Sequence, residues 1–147
     1  MRHMLVRRIL AAALCGTAGL AGLLISPATP VVAATPQCTT TVVQVHVDWD
    51  GVRAHTTLPA TSGGSSVCWL AQGDISSAVT ALQHALILCR HEGAPVISAD
   101  GNFGPATKNA LRYEQTADGI TADGVYGSQS RTHMGWPTEL GSCAFVG

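Results

Sequence analysis

The chain has 147 residues, of which 46% are hydrophobic and 12% charged, and its formal net charge is −1. Its few lysines and arginines are scattered and form no basic stripe, which argues against nucleic acid or anionic lipid as a partner. The length suits one domain with a short extension, once an N-terminal signal is set aside.

The N-terminal residues have the three parts of a cleavable export signal. Three of the first eight residues are arginine, an uncharged apolar run follows from Ile9 to Ile25, and small residues end the segment at Ala33 and Ala34. We therefore predict a signal peptide at residues 1–34 and a secreted, extracellular or cell-wall-associated protein. A membrane anchor is the alternative, but three glycines interrupt the run and no cationic cluster follows it, so we expect no stable membrane insertion.

The exported part is acidic and contains an even number of cysteines. Five lysines and arginines stand against nine aspartates and glutamates, a net charge of −4. Four cysteines in a small exported chain indicate two disulfides, because the thiols meet an oxidising environment. A zinc site is the alternative, although the chain has no C-x-x-C pair. The sequence leaves three pairings open, and we predict Cys38 with Cys68 and Cys89 with Cys143.

A β-hairpin is predicted over residues 37–58. Polar and apolar residues alternate in its first strand, as in a strand with one buried face, and the apolar members are Val43, Val45, Val47 and Trp49. Asp50-Gly51 supplies a two-residue turn, since both central positions of such a turn need positive φ. That turn would place Val47 opposite Ala54, with the valines on the buried face.

The same register would bring two histidines together on the polar face. His46 would lie opposite His55, with Asp48 beside them, and these three side chains are a candidate metal site. The alternative is that they form the solvated side of the ribbon, and we expect no cofactor. A Gly- and Ser-rich tract at residues 61–66 ends this part, so residues 35–67 are predicted to be a hairpin extension with a flexible linker.

Three helices are predicted after the linker. Ser76 or Ser77 caps the first helix, which ends near Gly93 and has one apolar face formed by Val79, Leu82, Leu86 and Cys89. The second helix begins at Pro105, whose fixed φ suits a first helical position, and runs to about Ala117 with Gly119 as its stop. The third runs from Ser128 to about Met134.

A repeated phrase precedes the second and third helices. Residues 99–104 and 122–127 both read A-D-G-x-aromatic-G, and a hydroxyl residue follows three positions later. Each copy has a tight Asp-Gly turn, an aromatic residue that can fill the core and a glycine that lets the chain enter a helix. The repeat predicts two similar turn-helix units packed against each other.

These features resemble the peptidoglycan-binding domain family, a small three-helix module found in secreted bacterial proteins. The resemblance covers Cys68 to about Trp136, and the matching residues are Gly73, Val79, Leu82, Gln83, Leu86, Asp100, Gly101, Phe103, Gly104, Thr107, Gln115, Gly119, Ile120, Asp123, Gly124, Val125 and Gly127. It implies a mainly α fold, with this module at residues 68–147. Glu114 departs from the family pattern, which usually has phenylalanine there. Because an unpaired buried carboxylate is costly, we expect Glu114 near a cation or at the core edge.

The resemblance implies a non-catalytic, monomeric protein that binds peptidoglycan or cell-wall fragments. No nucleophile, metal or paired-carboxylate pattern of a wall hydrolase stands out in the sequence. The candidate ligand-binding residues, chosen for hydrogen bonding or aromatic surface, are Asn102, Arg112, Gln115, Tyr126 and Trp136. For Gln115 and Tyr126 the alternatives are support of the turn backbone and filling of the core. Two other functions remain open: a secreted interaction or inhibitor protein that uses the edge strand Thr40–Val47, and a metal-dependent wall hydrolase.

Overall fold

Two long antiparallel strands precede three helices in the computed structural model, which describes residues 34–47 and 50–147. The predicted signal peptide up to residue 33, Asp48 and Trp49 lie outside the described residues. The elements, in chain order, are β1 (Thr40–Val47), β2 (Arg53–Ala60), α1 (Ser77–Leu88), α2 (Pro105–Ala117), α3 (Ser128–His133), β3 (Trp136–Pro137) and β4 (Cys143–Ala144). In the described part, no helix combines the length and apolar character needed to cross a membrane.

The predicted helices are confirmed, with small differences at their ends. The Ser76 hydroxyl accepts a hydrogen bond from the Val79 amide at 3.3 Å and so caps α1, which ends at Leu88 rather than near Gly93. Pro105 opens α2, and Gly119 follows its end with φ +69°. The structure is 28% helical, so the mainly α class is not confirmed: three helices share the fold with two small sheets.

The register predicted for the hairpin is wrong by one residue. Val47 lies opposite Arg53 rather than Ala54, and His46 lies opposite Ala54 rather than His55. Five residues therefore separate the paired positions Val47 and Arg53, and a two-residue turn at Asp50-Gly51 does not connect the strands. A shift of one residue moves every side chain of a strand to the other face.

The shift inverts the buried face of β1. Val43, Val45 and Val47 were expected in the core, but they are 60%, 55% and 56% exposed. The face of β2 is as expected, since Ala54 and Leu58 are buried. The inward positions of β1 are therefore the even-numbered ones, which are Val42, Gln44 and His46, each half-buried.

The hairpin and the helices share one hydrophobic core. Leu58 of β2 is buried in the same cluster as Leu82 of α1, Leu111 of α2 and Trp136 of β3. Thr56 also pairs with Thr138 in an isolated antiparallel bridge. The described residues belong to one compact unit.

Both predicted disulfides are present in the structure. Cys38 pairs with Cys68 across 30 residues of sequence, which joins the segment before β1 to the segment before α1. Cys89 pairs with Cys143 across 54 residues, which joins the end of α1 to β4. Cross-links over loops of this length restrict the unfolded chain and stabilise the fold.

The inverted face gives a direct test of the hairpin packing. Val45→Thr should change the free energy of unfolding by less than about 0.5 kcal/mol, because the side chain is exposed. Leu58→Ala should lower it by about 2–5 kcal/mol, because it leaves a cavity in the core. Urea unfolding followed by circular dichroism measures both values. A larger loss for Val45→Thr than for Leu58→Ala would contradict the observed register.

Candidate functional site

A buried glutamine of α1 holds the first Asp-Gly turn. The Gly101 amide donates to Gln83 Oε1 at 2.8 Å, and Gln83 Nε2 reaches the Asp100 carboxylate at 2.8 Å. The same nitrogen lies 3.0 Å from both the Asn102 carbonyl oxygen and Thr107 Oγ1. Gln83 is 1% exposed, so its side-chain amide takes the place of water as the hydrogen-bond partner of the turn's backbone groups.

Gln115 of α2 holds the second turn in the same way. The Gly124 amide donates to Gln115 Oε1 at 2.8 Å, and Gln115 Nε2 lies 3.1 Å from Asp123 Oδ1. The nitrogen also reaches the Val125 carbonyl oxygen at 3.0 Å and Ser130 Oγ at 3.1 Å. The two repeats predicted from the sequence are therefore two copies of one hydrogen-bonded unit.

The glycine of the second turn is required by both backbone and space. Gly124 has φ +71°, a conformation that residues with a side chain rarely adopt. A Cβ atom at this position would lie 2.7 Å from Cγ of Lys108 and 2.8 Å from Cγ of Arg112. The turn therefore lies directly against α2, which allows Gln115 to reach it.

The aromatic residue of each turn fills the core. Phe103 and Tyr126 are both fully buried, and the Tyr126 ring packs edge-on against Trp136 with 5.9 Å between ring centroids. Burial raises the pKa of the Tyr126 hydroxyl well above its usual range. Backbone hydrogen bonds in both directions join Tyr126 to Leu70, at 3.0 and 2.9 Å. The second turn is thereby attached to the segment that precedes α1.

An open groove of about 270 Å³ lies beside the second turn. One side is formed by the turn and by the start of α3, while Thr35, before β1, and Trp69, between β2 and α1, contribute from outside this unit. Hydroxyl and amide side chains dominate, Asp123 contributes a carboxylate, and no lysine or arginine is present among the lining residues, all of which the structure describes. The lining residues are Thr35, Trp69, Gln115, Thr121, Asp123, Val125, Tyr126, Gly127, Ser128, Gln129 and Ser130.

Trp69 is a lining residue that the sequence analysis missed. Its amide donates to the Pro36 carbonyl oxygen at 3.1 Å, and its own carbonyl oxygen accepts from the Cys38 amide at 2.9 Å. The residue is half-buried. The sequence feature that could have pointed to Trp69 is its position next to Cys68, at the start of the predicted module, because a disulfide fixes the backbone there.

Three of the five predicted ligand residues are in the core. Gln115 is 2% exposed, and Tyr126 and Trp136 are fully buried. The Gln115 amide is committed to the turn, and Trp136 Nε1 donates to the Arg131 carbonyl oxygen at 2.9 Å. Gln115 and Tyr126 line the groove, and Trp136 does not.

The other two predicted ligand residues are exposed but do not line the groove. Asn102 belongs to the first turn and pairs with Ile75 in an isolated bridge. Arg112 lies on α2, and its Nε donates to the Ala122 carbonyl oxygen at 3.2 Å. The structure therefore does not bring all five predicted residues together, and Gln115 and Tyr126 are the two that line the groove.

The candidate metal site in the hairpin is not assembled. His46 lies on the inward face, where burial and the nearby Arg131 charge lower its pKa. His55 lies on the outward face, and its Nδ1 is 2.7 Å from Glu139 Oε1. The one-residue shift in register therefore separates the imidazoles that the sequence analysis paired, while Asp48 lies outside the described residues. Across residues 34–47 and 50–147 there is no group of three or more His, Cys, Asp or Glu side chains arranged to hold a metal ion.

The part of the chain that contains both turns matches a known family. The "Putative peptidoglycan binding domain" family model matches residues 76–134. The SleB N-terminal domain is similar, with 31% identity over 44% of this chain and 85% of that chain, and a TM-score of 0.39. The chain belongs to the peptidoglycan-binding domain family.

A peptidoglycan-binding protein from Clostridioides difficile, solved in complex with glutamine hydroxamate, is also similar. It is 24% identical over 60% of this chain and 53% of that chain, with a TM-score of 0.42. No curated protein is significantly similar in sequence. The family match contains both glutamine-held turns and α1 to α3, whereas Thr35 and Trp69 lie outside it.

Within the peptidoglycan-binding domain, Glu114 is a buried carboxylate with a histidine partner. Glu114 is 3% exposed and accepts from the His91 amide at 3.1 and 3.2 Å. Its Oε2 also lies 2.7 Å from His91 Nδ1, and Asp118 Oδ1 lies 3.6 Å from His91 Nε2. The expectation of a nearby cation is thus met by His91 in its protonated form. The hydrogen bond to Glu114 raises the pKa of His91 above 6.5.

Replacing either turn-holding glutamine should destabilise the domain. Gln83→Leu and Gln115→Leu each leave a buried glycine amide without its partner, which costs about 1–3 kcal/mol. Gln129→Leu, at an exposed position of α3, is the matched control and should change stability by less than about 0.5 kcal/mol. Urea unfolding measures all three, and equal stabilities would rule out the proposed role of the buried amides.

The His91–Glu114 pair should make stability depend on pH. Because the folded state raises the pKa of His91, the stabilisation is fully present below pH 6.5 and is lost as pH rises through the raised pKa. The lowered pKa of His46 makes stability rise with pH instead, but this rise is complete by about pH 6.5. Urea unfolding between pH 6.5 and 8.5 should therefore show falling stability in the wild type and a smaller fall in Glu114→Gln. Identical slopes would contradict the assignment.

Proposed function

We propose that the protein is a secreted, non-catalytic peptidoglycan-binding protein, and that the groove beside the second turn is its ligand site. The observation that carries the proposal is the position of the groove. It lies at the second repeat of a domain that belongs to the peptidoglycan-binding family, where the Gln115 unit fixes one side. An open groove on a rigid unit suits a polymer that enters from the surface.

The chemistry of the groove supports binding without catalysis. General acid-base cleavage of a glycan commonly uses two carboxyl groups, and Asp123 is the one carboxylate among the lining residues. Asp123 Oδ1 already accepts from the Val125 amide at 2.8 Å and from Gln115, which is a turn-forming role. The four cysteines of the exported part are in disulfides, so none of them is a free nucleophile.

Two features support a site of action outside the cell. The N-terminal sequence has the charge, the apolar run and the small-residue end of an export signal. The Cys38–Cys68 and Cys89–Cys143 disulfides suit an oxidising compartment. An exported protein with this domain would meet peptidoglycan directly.

A second candidate function is protein interaction through the hairpin. The observation in its favour is the outward row Val43, Val45 and Val47 on β1, which pairs on one side with β2. A shallow depression of about 480 Å³ between the hairpin and α1 extends this surface and is lined in part by Val43 and Leu88. An extended segment of a partner could add to β1 as a further strand.

Removal of residues 35–67 is a poor way to separate these functions. Cys38, Leu58 and Ala60 are buried in the common core, so the truncation would expose apolar surface of the helical part. Single substitutions at exposed positions keep the core intact. The two repeats offer a matched pair, because Ala106 in the first corresponds to Gln129 in the second and both are exposed.

A bulky residue in the groove should weaken wall binding. We expect Gln129→Tyr to reduce binding to purified insoluble peptidoglycan at least about tenfold, about 1.4 kcal/mol, because the ring occupies the groove. Ala106→Tyr, at the corresponding position of the first repeat, should bind like the wild type because Ala106 does not line the groove. Cosedimentation over a range of protein concentrations measures the affinities, and circular dichroism confirms folding. Equal binding by both variants would favour the hairpin or another surface, and no binding by the wild type would refute the proposed function.

A further inference from the structure

Trp69 is the aromatic residue at the groove that the family match does not include. The match begins at residue 76, whereas Trp69 lies in the segment between the hairpin and α1. It is half-buried, in contrast to the fully buried Tyr126 and Trp136. Partly exposed tryptophans in clefts are common anchors for ligands, since they offer a large rigid surface.

The backbone around Trp69 is held on both sides. Its amide and carbonyl groups bond to Pro36 and Cys38, and the Cys38–Cys68 disulfide closes the same segment. The next residue, Leu70, exchanges two backbone hydrogen bonds with Tyr126 of the second turn. Trp69 is therefore fixed relative to the Gln115 unit, and binding would not have to order a mobile chain at this point.

The groove chemistry distinguishes the two parts of peptidoglycan. Stem peptides end in carboxylates, which favour cationic partners, but the lining residues include no lysine or arginine. Sugar rings of the glycan strand carry hydroxyl and acetamido groups and an apolar face. Thr121, Ser128 and Gln129 can exchange hydrogen bonds with such groups, Asp123 can accept from a hydroxyl, and an indole suits the apolar face.

We propose that Trp69 is a ligand-binding residue and that the groove takes an N-acetylated sugar ring of the glycan strand. This inference rests on the proposed function and specifies its ligand. The groove, at about 270 Å³, is at the small end of ligand sites, which suits one ring and its acetamido group. The segment between the hairpin and α1 therefore completes a site that the family domain forms only in part.

The test is a calorimetric titration of the exported protein with two soluble probes. One probe is the tetramer of N-acetylglucosamine, which carries the acetamido sugars without peptide, and the other is a stem pentapeptide without sugar. We expect the wild type to bind the tetramer more tightly than the peptide. Trp69→Ala should weaken tetramer binding at least about tenfold, and Trp69→Phe should retain most of it, because a smaller aromatic face remains.

Two controls keep the result interpretable. Val96→Ala changes a side chain that is 82% exposed and lies outside the groove, so its affinity should equal that of the wild type. If Trp69→Ala fails to fold, as judged by thermal unfolding, Trp69→Phe and the blocking variant Gln129→Tyr test the same groove. Tetramer binding equal to that of the wild type in Gln129→Tyr, and in Trp69→Ala where that variant folds, would overturn the inference.

Cosedimentation with insoluble peptidoglycan separates this inference from the proposed function. Binding to the wall together with no tetramer binding, or with preference for the stem peptide, overturns the glycan assignment and leaves the proposed function intact. Tetramer binding without wall binding refutes the proposed function and supports the groove assignment. Binding to neither refutes both.

Discussion

The hydrogen bonds from the two buried glutamines to the glycine amides of the turns are the interactions on which the domain depends. A tight turn packed against a helix hides backbone groups from water, and these groups need internal partners. The carboxamides of Gln83 and Gln115 supply an acceptor and donors at once. Each turn is thereby fixed in place, with Phe103 and Tyr126 buried in the core.

The helices and the turns followed from local sequence, but the hairpin register did not. Helical faces and Asp-Gly turns depend on residues close in the chain, and the repeat supplied a second copy as a check. The register depends on the length of the connection between the two strands. One additional residue in that connection shifts the register and moves every side chain of a strand to the other face. The regular alternation of Val43, Val45 and Val47 suits either face, and only the packing of β2 against the core decides between them.

The same distinction explains the outcome for the site. Residue types favoured for binding, such as Gln115, Tyr126 and Trp136, also stabilise turns and fill cores, and burial decides which role they take. The role of Glu114 was easier to foresee, because burial of a carboxylate demands a partner whatever the fold. The structure provides that partner through His91, just beyond α1, so a polar contact joins α1 to α2 where the family pattern usually has an aromatic side chain.

The parts of the molecule that hold the fold are separate from the groove that we propose as the ligand site. The glutamine units are buried, and changes to them cost stability before they affect a surface. Trp69 belongs to a segment that pairs with the second turn through Leu70, and the Cys38–Cys68 disulfide joins this segment to the one before β1. Side chains in such a segment can vary without disturbing the turns, because the backbone groups hold its position. In the proposed site, ligand preference is therefore set from outside the family domain, while the domain supplies the rigid surface on which the segment lies.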